Sequence, residues 1–158
     1  MRIIFFALLM CCISLFSNAQ LPVGSIAPEI KLPDSLGKWK PLSEVKAKII
    51  LVDFWAAWCY PCIKSMPDIK RIYKTYHDKG LEVYAVSLDK DYRNWVATCT
   101  RLELPFIHVN DAYSLNGNVC KEYQVSSIPH KILIKDGKII ATEMSLADLE
   151  KVIEKELK

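Results

Sequence analysis

The stretch Ile49-Ile50-Leu51-Val52-Asp53-Phe54-Trp55-Ala56-Ala57-Trp58-Cys59-Tyr60-Pro61-Cys62 carries most of what can be read from this chain. Residues 49–55 form an almost unbroken aliphatic and aromatic run, the pattern of a central strand buried on both faces. Pro61 suits the first turn of a helix, where its missing amide costs nothing. Ile63, Met66, Ile69, Ile72, Tyr73 and Tyr76 then recur with helical spacing, so a helix is expected over about 60–79, ended by Gly80. Two cysteines straddling a strand–helix junction, with two residues between them, are the pattern of a redox-active pair. At that edge the helix amides and macrodipole favour a thiolate on Cys59. Cys62 lies one turn in, where a resolving thiol belongs.

Three other readings of the pair stay open from spacing alone. It could be half of a zinc site, with partners among Cys99, Cys120, His77, His108 and His130, none of which forms a second close cluster. It could be a purely structural disulfide, or two core cysteines. Trp58 and Pro61 argue for the redox reading, since a ring and a proline beside the pair shape a rigid, partly exposed corner.

Upstream, Pro22, Pro28 and Pro33 argue against helix, and residues 30–32 and 38–40 are expected to pair as an extended hairpin. Downstream, Leu81–Leu88 reads as a strand, Asp91 opens a helix to about Leu102, Phe106–Val109 is a short strand and Asn118–Tyr123 a short helix. Residues 131–134 and 139–142 flank Asp136-Gly137, a strong hairpin signal. Ser145 is a good N-cap, with Asp148 three positions on. Leu146, Leu149, Val152, Ile153 and Leu157 form the apolar stripe of a last helix. The sum is an α/β chain with a mixed central sheet flanked by helices. Trp39, Trp95, Phe54, Trp55, Tyr73 and Tyr76 are expected to be packing residues.

The N-terminus reads as a leader. Met1-Arg2 is a short positive region, residues 3–13 are almost wholly apolar, and Ser17-Asn18-Ala19 offers small residues for cleavage before Gln20. Residues 1–19 are thus expected to be a signal peptide and 20–158 a single domain, with an uncleaved N-terminal membrane anchor as the alternative. Cys11 and Cys12 lie inside the apolar run, and Leu9-Met10-Cys11 lacks the small residue a lipidation site needs. Export implies a periplasmic or other extracytoplasmic location, where disulfides persist. The formal charge of +3 comes from lysines scattered among acids, with no basic block, so nucleic acid is not an expected partner. No metal, haem, nucleotide or flavin motif is found, so no cofactor is expected, and a monomer is the expected state.

On these residues the chain resembles the thioredoxin superfamily: Ile50–Pro67 is similar to its active-site region. The order of elements over nearly all of residues 20–158 resembles the exported TlpA/ResA-like thiol–disulfide oxidoreductases of bacteria. The resemblance implies a thioredoxin-like fold, with Cys59 as an exposed nucleophile, Cys62 as the buried resolving cysteine and Trp58 packed beside them. It implies that Pro129 is a cis-proline facing the disulfide, that Ile128 offers its backbone to an extended substrate, and that Tyr60 and Pro61 belong to the same contact surface. It implies that Asp53 is buried with a raised pKa and relays a proton to Cys62. From the residues alone, the alternative is a strand-end aspartate that reaches solvent or caps the next helix.

The resemblance further implies exchange with exported disulfide or dithiol proteins, acting as a reductant fed by an upstream membrane electron donor, in cytochrome c maturation. A thioredoxin-like peroxidase and a non-catalytic envelope binding module are the alternatives. Four positions depart from the family pattern. Tyr60 replaces a common glycine between the cysteines, Ser65 a common glutamate, Gln124 a glycine, and His130 a threonine. His130 is expected to be exposed, or else close enough to tune Cys59. Cys99 and Cys120 are either a second, structural disulfide, if their Cα atoms lie within about 7 Å, or two buried free thiols.

Overall fold

The computed structural model describes residues 21–158; the expected leader and its cleavage site lie outside them. The first elements are two short antiparallel strands, β1 (Lys31–Pro33) and β2 (Trp39–Pro41). Leu32 of this hairpin packs against one of the protein's two cores. Because side chains alternate along a strand, Trp39 points to the other face and is 57 % exposed. It is therefore not the packing residue its composition suggested.

The main sheet has five strands: β3 (Ile49–Trp55), β4 (Leu81–Ser87), β5 (Ile107–Asn110), β6 (His130–Lys135) and β7 (Lys138–Thr142). Their spatial order is β5-β4-β3-β6-β7. The β3–β4 and β4–β5 pairs are parallel, whereas β3–β6 and β6–β7 are antiparallel, so the sheet is mixed as expected. Every residue of β3 is buried, which is why its sequence is continuously apolar rather than alternating.

Alternation decides which core each β3 residue enters. Ile49, Leu51 and Trp55 face a core completed by α1 (Tyr60–Tyr76), α2 (Tyr92–Leu102) and α4 (Leu146–Glu156). Ile50, Val52 and Phe54 face a second core closed by Ile30, Leu42, Tyr123 and α3 (Asn118–Glu122). Asp53 falls in the first register, on the α1 side. Trp55, Trp95, Leu51, Ile69 and Ile72 are buried here at 1 % exposure or less, each fully buried large side chain contributing about 1.5–3 kcal/mol.

Local signals hold at the element ends. Asp91 Oδ1 accepts from the amides of Arg93 and Asn94 at the start of α2. Ser145 Oγ accepts from the Asp148 amide and donates to the Asp148 carboxylate at the start of α4. Asp136 and Gly137, both at positive φ (51° and 72°), turn β6 into β7, as a two-residue hairpin loop requires. Among the described residues no helix is long and apolar enough to cross a membrane.

Candidate active site

The redox turn is built by the junction of β3 and α1. Cys59 is the N-cap residue of α1: it leaves the helical conformation, and its Sγ accepts from the Cys62 amide at 3.3 Å. Its own amide donates to the Ala56 carbonyl. Cys59 and Cys62 form a disulfide with Cα atoms 5.2 Å apart. Exposure is 5 % at Cys59 and 1 % at Cys62, so in the oxidised form Cys59 is only the more accessible of two shielded sulfurs, not an exposed one. Trp58 and Tyr60 on either side are 58 % and 75 % exposed. Both rings thus stand at the rim of the turn. Pro61 occupies the first turn, and Ser65 Oγ donates to the Cys62 carbonyl.

The Ile128–Pro129 peptide bond is cis. Ile128 packs against both cores, one of which contains Cys59 and Cys62. Pro129 lines a cleft together with Ser65, one turn beyond Cys62 in α1. The two segments that sequence reading singled out are thus brought to one end of the sheet.

Asp53 lies deep in the α1 core with no exposure, so it neither reaches solvent nor caps the helix. It stands opposite Lys131 in the β3–β6 register, and Lys131 Nζ is 3.1 Å from its Oδ1. The contact is an ion pair rather than an aligned hydrogen bond, and neither carboxylate oxygen has a hydrogen-bond partner. Burial pushes the Asp53 pKa up, and the Lys131 charge works against that rise.

Sequence reading missed Lys131. Its signal was a lysine heading the apolar run Ile132-Leu133-Ile134, as anomalous there as Asp53 in β3. It also missed Asp89, which is 1 % exposed. Asp89 Oδ2 accepts from the Ala57 amide, two residues before Cys59, and from Ser87 Oγ, both at 2.9 Å. Asn110 Nδ2 ties the Ser87 hydroxyl and the Asp89 carbonyl to β5. The carboxyl ends of β3, β4 and β5 are therefore clamped together beneath the redox turn.

His130 departs from its expected exposure. It is 9 % exposed, its ring meets Phe54 edge-on, and its Nδ1 is 3.8 Å from Glu143 Oε1. Burial holds its pKa below the usual value, Glu143 opposes that, and the Lys131 charge adds to it. The structural disulfide weighed for Cys99 and Cys120 does not form; both are free thiols. Cys99 packs on the α1 core and Cys120 in the core on the other face of the sheet. Burial pushes each thiol's pKa up to about 12, which makes both poor nucleophiles although Cys99 is only half-buried. Among the described residues no three His, Cys, Asp or Glu side chains gather closely enough to hold a metal ion.

Residues 23–143 match the model of the AhpC/TSA family. The thiol-disulfide oxidoreductase ResA of Bacillus thuringiensis subsp. konkukian is 32 % identical over 143 residues, covering 86 % of this chain and 79 % of the relative. ResA of Geobacillus thermodenitrificans is 31 % identical over 141 residues, covering 87 % and 79 %. Among solved structures, the thioredoxin domain of a thiol-disulfide oxidoreductase from Bacteroides vulgatus superposes with a TM-score of 0.81 at 33 % identity, covering 88 % of this chain and 100 % of that one. A thiol:disulfide interchange protein from Bacteroides sp. gives a TM-score of 0.78 at 34 % identity, covering 85 % and 90 %. With its paired cysteines at the helix edge and its thioredoxin-like sheet, the chain belongs to the AhpC/TSA family and is a dithiol–disulfide oxidoreductase.

Proposed function

We propose that this protein reduces disulfides of exported proteins in an extracytoplasmic compartment, fed with electrons by a membrane donor. The observation that carries the reading is the position of Cys59 as N-cap of α1, with the Cys62 amide already directed at its sulfur. In the reduced form the same amide and the helix macrodipole favour a Cys59 thiolate. That thiolate attacks one sulfur of the partner's disulfide, forming a mixed disulfide and expelling the other partner sulfur as a thiolate. Cys62 loses its proton to the Asp53 carboxylate and attacks Cys59 Sγ. The second partner thiolate leaves, and the Cys59–Cys62 disulfide closes. The partner gains two electrons, and the upstream donor restores the dithiol.

In this reading the partner chain lies extended against the backbone of Ile128, beside cis-Pro129, and touches the exposed rings of Trp58 and Tyr60 and the turn at Pro61. The narrower role, reduction of apocytochrome c before haem attachment, rests on the resemblance to the TlpA/ResA-like branch.

Two measurements test the proposal. A Cys59–Cys62 potential near about −270 mV supports a reductant, and one near about −120 mV would mark an oxidant instead. Insulin reduction by the wild type, lost in Cys59→Ser, supports turnover through Cys59; equal rates would rule it out. A disulfide peptide with the Cys-X-X-Cys-His haem-attachment pattern should be reduced faster than one lacking it if the narrower role holds.

A further inference from the structure

Beside cis-Pro129 opens a cleft of about 540 Å³, walled by Ser65 of α1, Ser127, His130, and the Glu143–Leu146 segment that joins β7 to α4. None of its polar groups is needed for the thiol exchange described above. Its most unusual member is His130. The ring is nine-tenths buried, yet among the described residues neither ring nitrogen makes a hydrogen bond. Glu143 Oε1, 3.8 Å from Nδ1, is too far to serve. The ring nitrogens still reach solvent through the cleft, beside a carboxylate that is 47 % exposed.

The other charges at the cleft are already engaged. Lys131 is held by Asp53 at 3.1 Å, and Asp148 is held by Lys151 and by Ser145. Glu143 is left as the cleft's uncompensated charge, with an unpartnered imidazole beside it.

We propose that this cleft is a subsite for a basic side chain, Lys or Arg, of the partner polypeptide, held jointly by the Glu143 carboxylate and a ring nitrogen of His130. The assignment rests on the reading that the partner strand passes Ile128. A strand in that position sends alternate side chains to one side at a spacing of about 7 Å, and a residue flanking the partner's cysteine enters the cleft. Burial favours the neutral ring, and a neutral imidazole offers one acceptor nitrogen. Two acceptors, one of them charged, match an ammonium or guanidinium, and the Glu143 charge disfavours an acid there.

The test compares two disulfide peptides that differ only in carrying Lys or Glu on both sides of the reacting cysteine. The readout is the ratio of their kcat/KM values within each protein, so that general effects of a substitution cancel. The wild type should favour the Lys peptide by roughly tenfold at low salt, less at high salt. Glu143→Gln should bring the ratio close to one, and Glu143→Lys should invert it. His130→Phe, which keeps a ring against Phe54, should lower it. Equal turnover of both peptides by the wild type, or an unchanged ratio in Glu143→Gln, would overturn the subsite alone. Turnover of neither peptide would overturn the redox reading and the subsite together.

Discussion

Asp53 and Lys131 face each other across the antiparallel β3–β6 pair, with Lys131 Nζ 3.1 Å from Asp53 Oδ1 and both side chains more than nine-tenths buried. Taking both charges out of water costs several kcal/mol apiece, and their attraction offsets that only while both remain. Lys131→Met should therefore destabilise the fold by about 3–5 kcal/mol at pH 8, whereas Asp53→Asn/Lys131→Met should recover most of the loss. Urea melts of the three proteins check it, and additive losses would show that the pair is not a unit.

The pH dependence follows from the direction of the Asp53 shift. A carboxyl raised in the folded state lends stability that is fully present below its unfolded pKa, about 3.9, and lost as pH rises through the folded value. In Lys131→Met the folded pKa climbs further, so the destabilisation should shrink on acidification towards pH 4. Asp53→Asn should show no such slope from this site. A slope unchanged by Asp53→Asn would place the titration elsewhere.

Turnover should carry the same group with the opposite sense. In the proposed role Asp53 accepts the Cys62 proton only when ionised, so resolution of the mixed disulfide should speed up as pH rises through the Asp53 pKa. Asp53→Asn should remove that limb and slow resolution by up to about 100-fold. Stopped-flow formation and decay of the mixed disulfide separate this step from the Cys59 attack, which the substitution should leave nearer the wild-type rate.

What was legible in the sequence was what a local pattern can carry. The β3 run, the cysteine pair before α1, the Asp136-Gly137 turn and the Ser145 cap each depend on a few consecutive residues, and each sits where it was expected. Relations set by register and by choice of face were not legible. Lys131 meets Asp53 only because β6 runs antiparallel to β3 at one register. Trp39 is exposed because Leu32 took the inward face of a two-stranded hairpin. His130 is buried because its ring packs edge-on against Phe54, its partner across the β3–β6 pair and remote in sequence.

Cys99 and Cys120 show the same limit, and thiol counting makes it measurable. The sheet lies between their two cores, and burial holds both thiols protonated at neutral pH. In a form lacking residues 1–19, Ellman's reagent should find almost no reactive thiol in the native oxidised protein. It should find two after unfolding, and four after reduction, given Cys59–Cys62 as the disulfide of the described residues. No free thiol after unfolding without reductant would mean that Cys99 and Cys120 pair after all.

The last prediction concerns Asp89, which acts on the redox turn without belonging to it. Its Oδ2 receives the Ala57 amide and the Ser87 hydroxyl. Loss of the carboxylate strands a part-buried N–H just ahead of Trp58-Cys59, at a cost of about 1–3 kcal/mol. Asp89→Ala should lower stability by that amount and loosen the turn from which Cys59 is presented. Asp89→Asn keeps an oxygen for the amide while removing the charge. A purely structural Asp89 would let Asn restore both stability and potential. If the buried charge matters as well, Asn should restore stability while the Cys59–Cys62 potential becomes less reducing, because a nearby carboxylate disfavours the Cys59 thiolate of the reduced form. Burial pushes the Asp89 pKa up, so that difference in potential should fade as the pH falls through it. Potentials of wild type and Asp89→Asn at several pH values distinguish the two roles, and parallel curves would leave Asp89 a clamp alone.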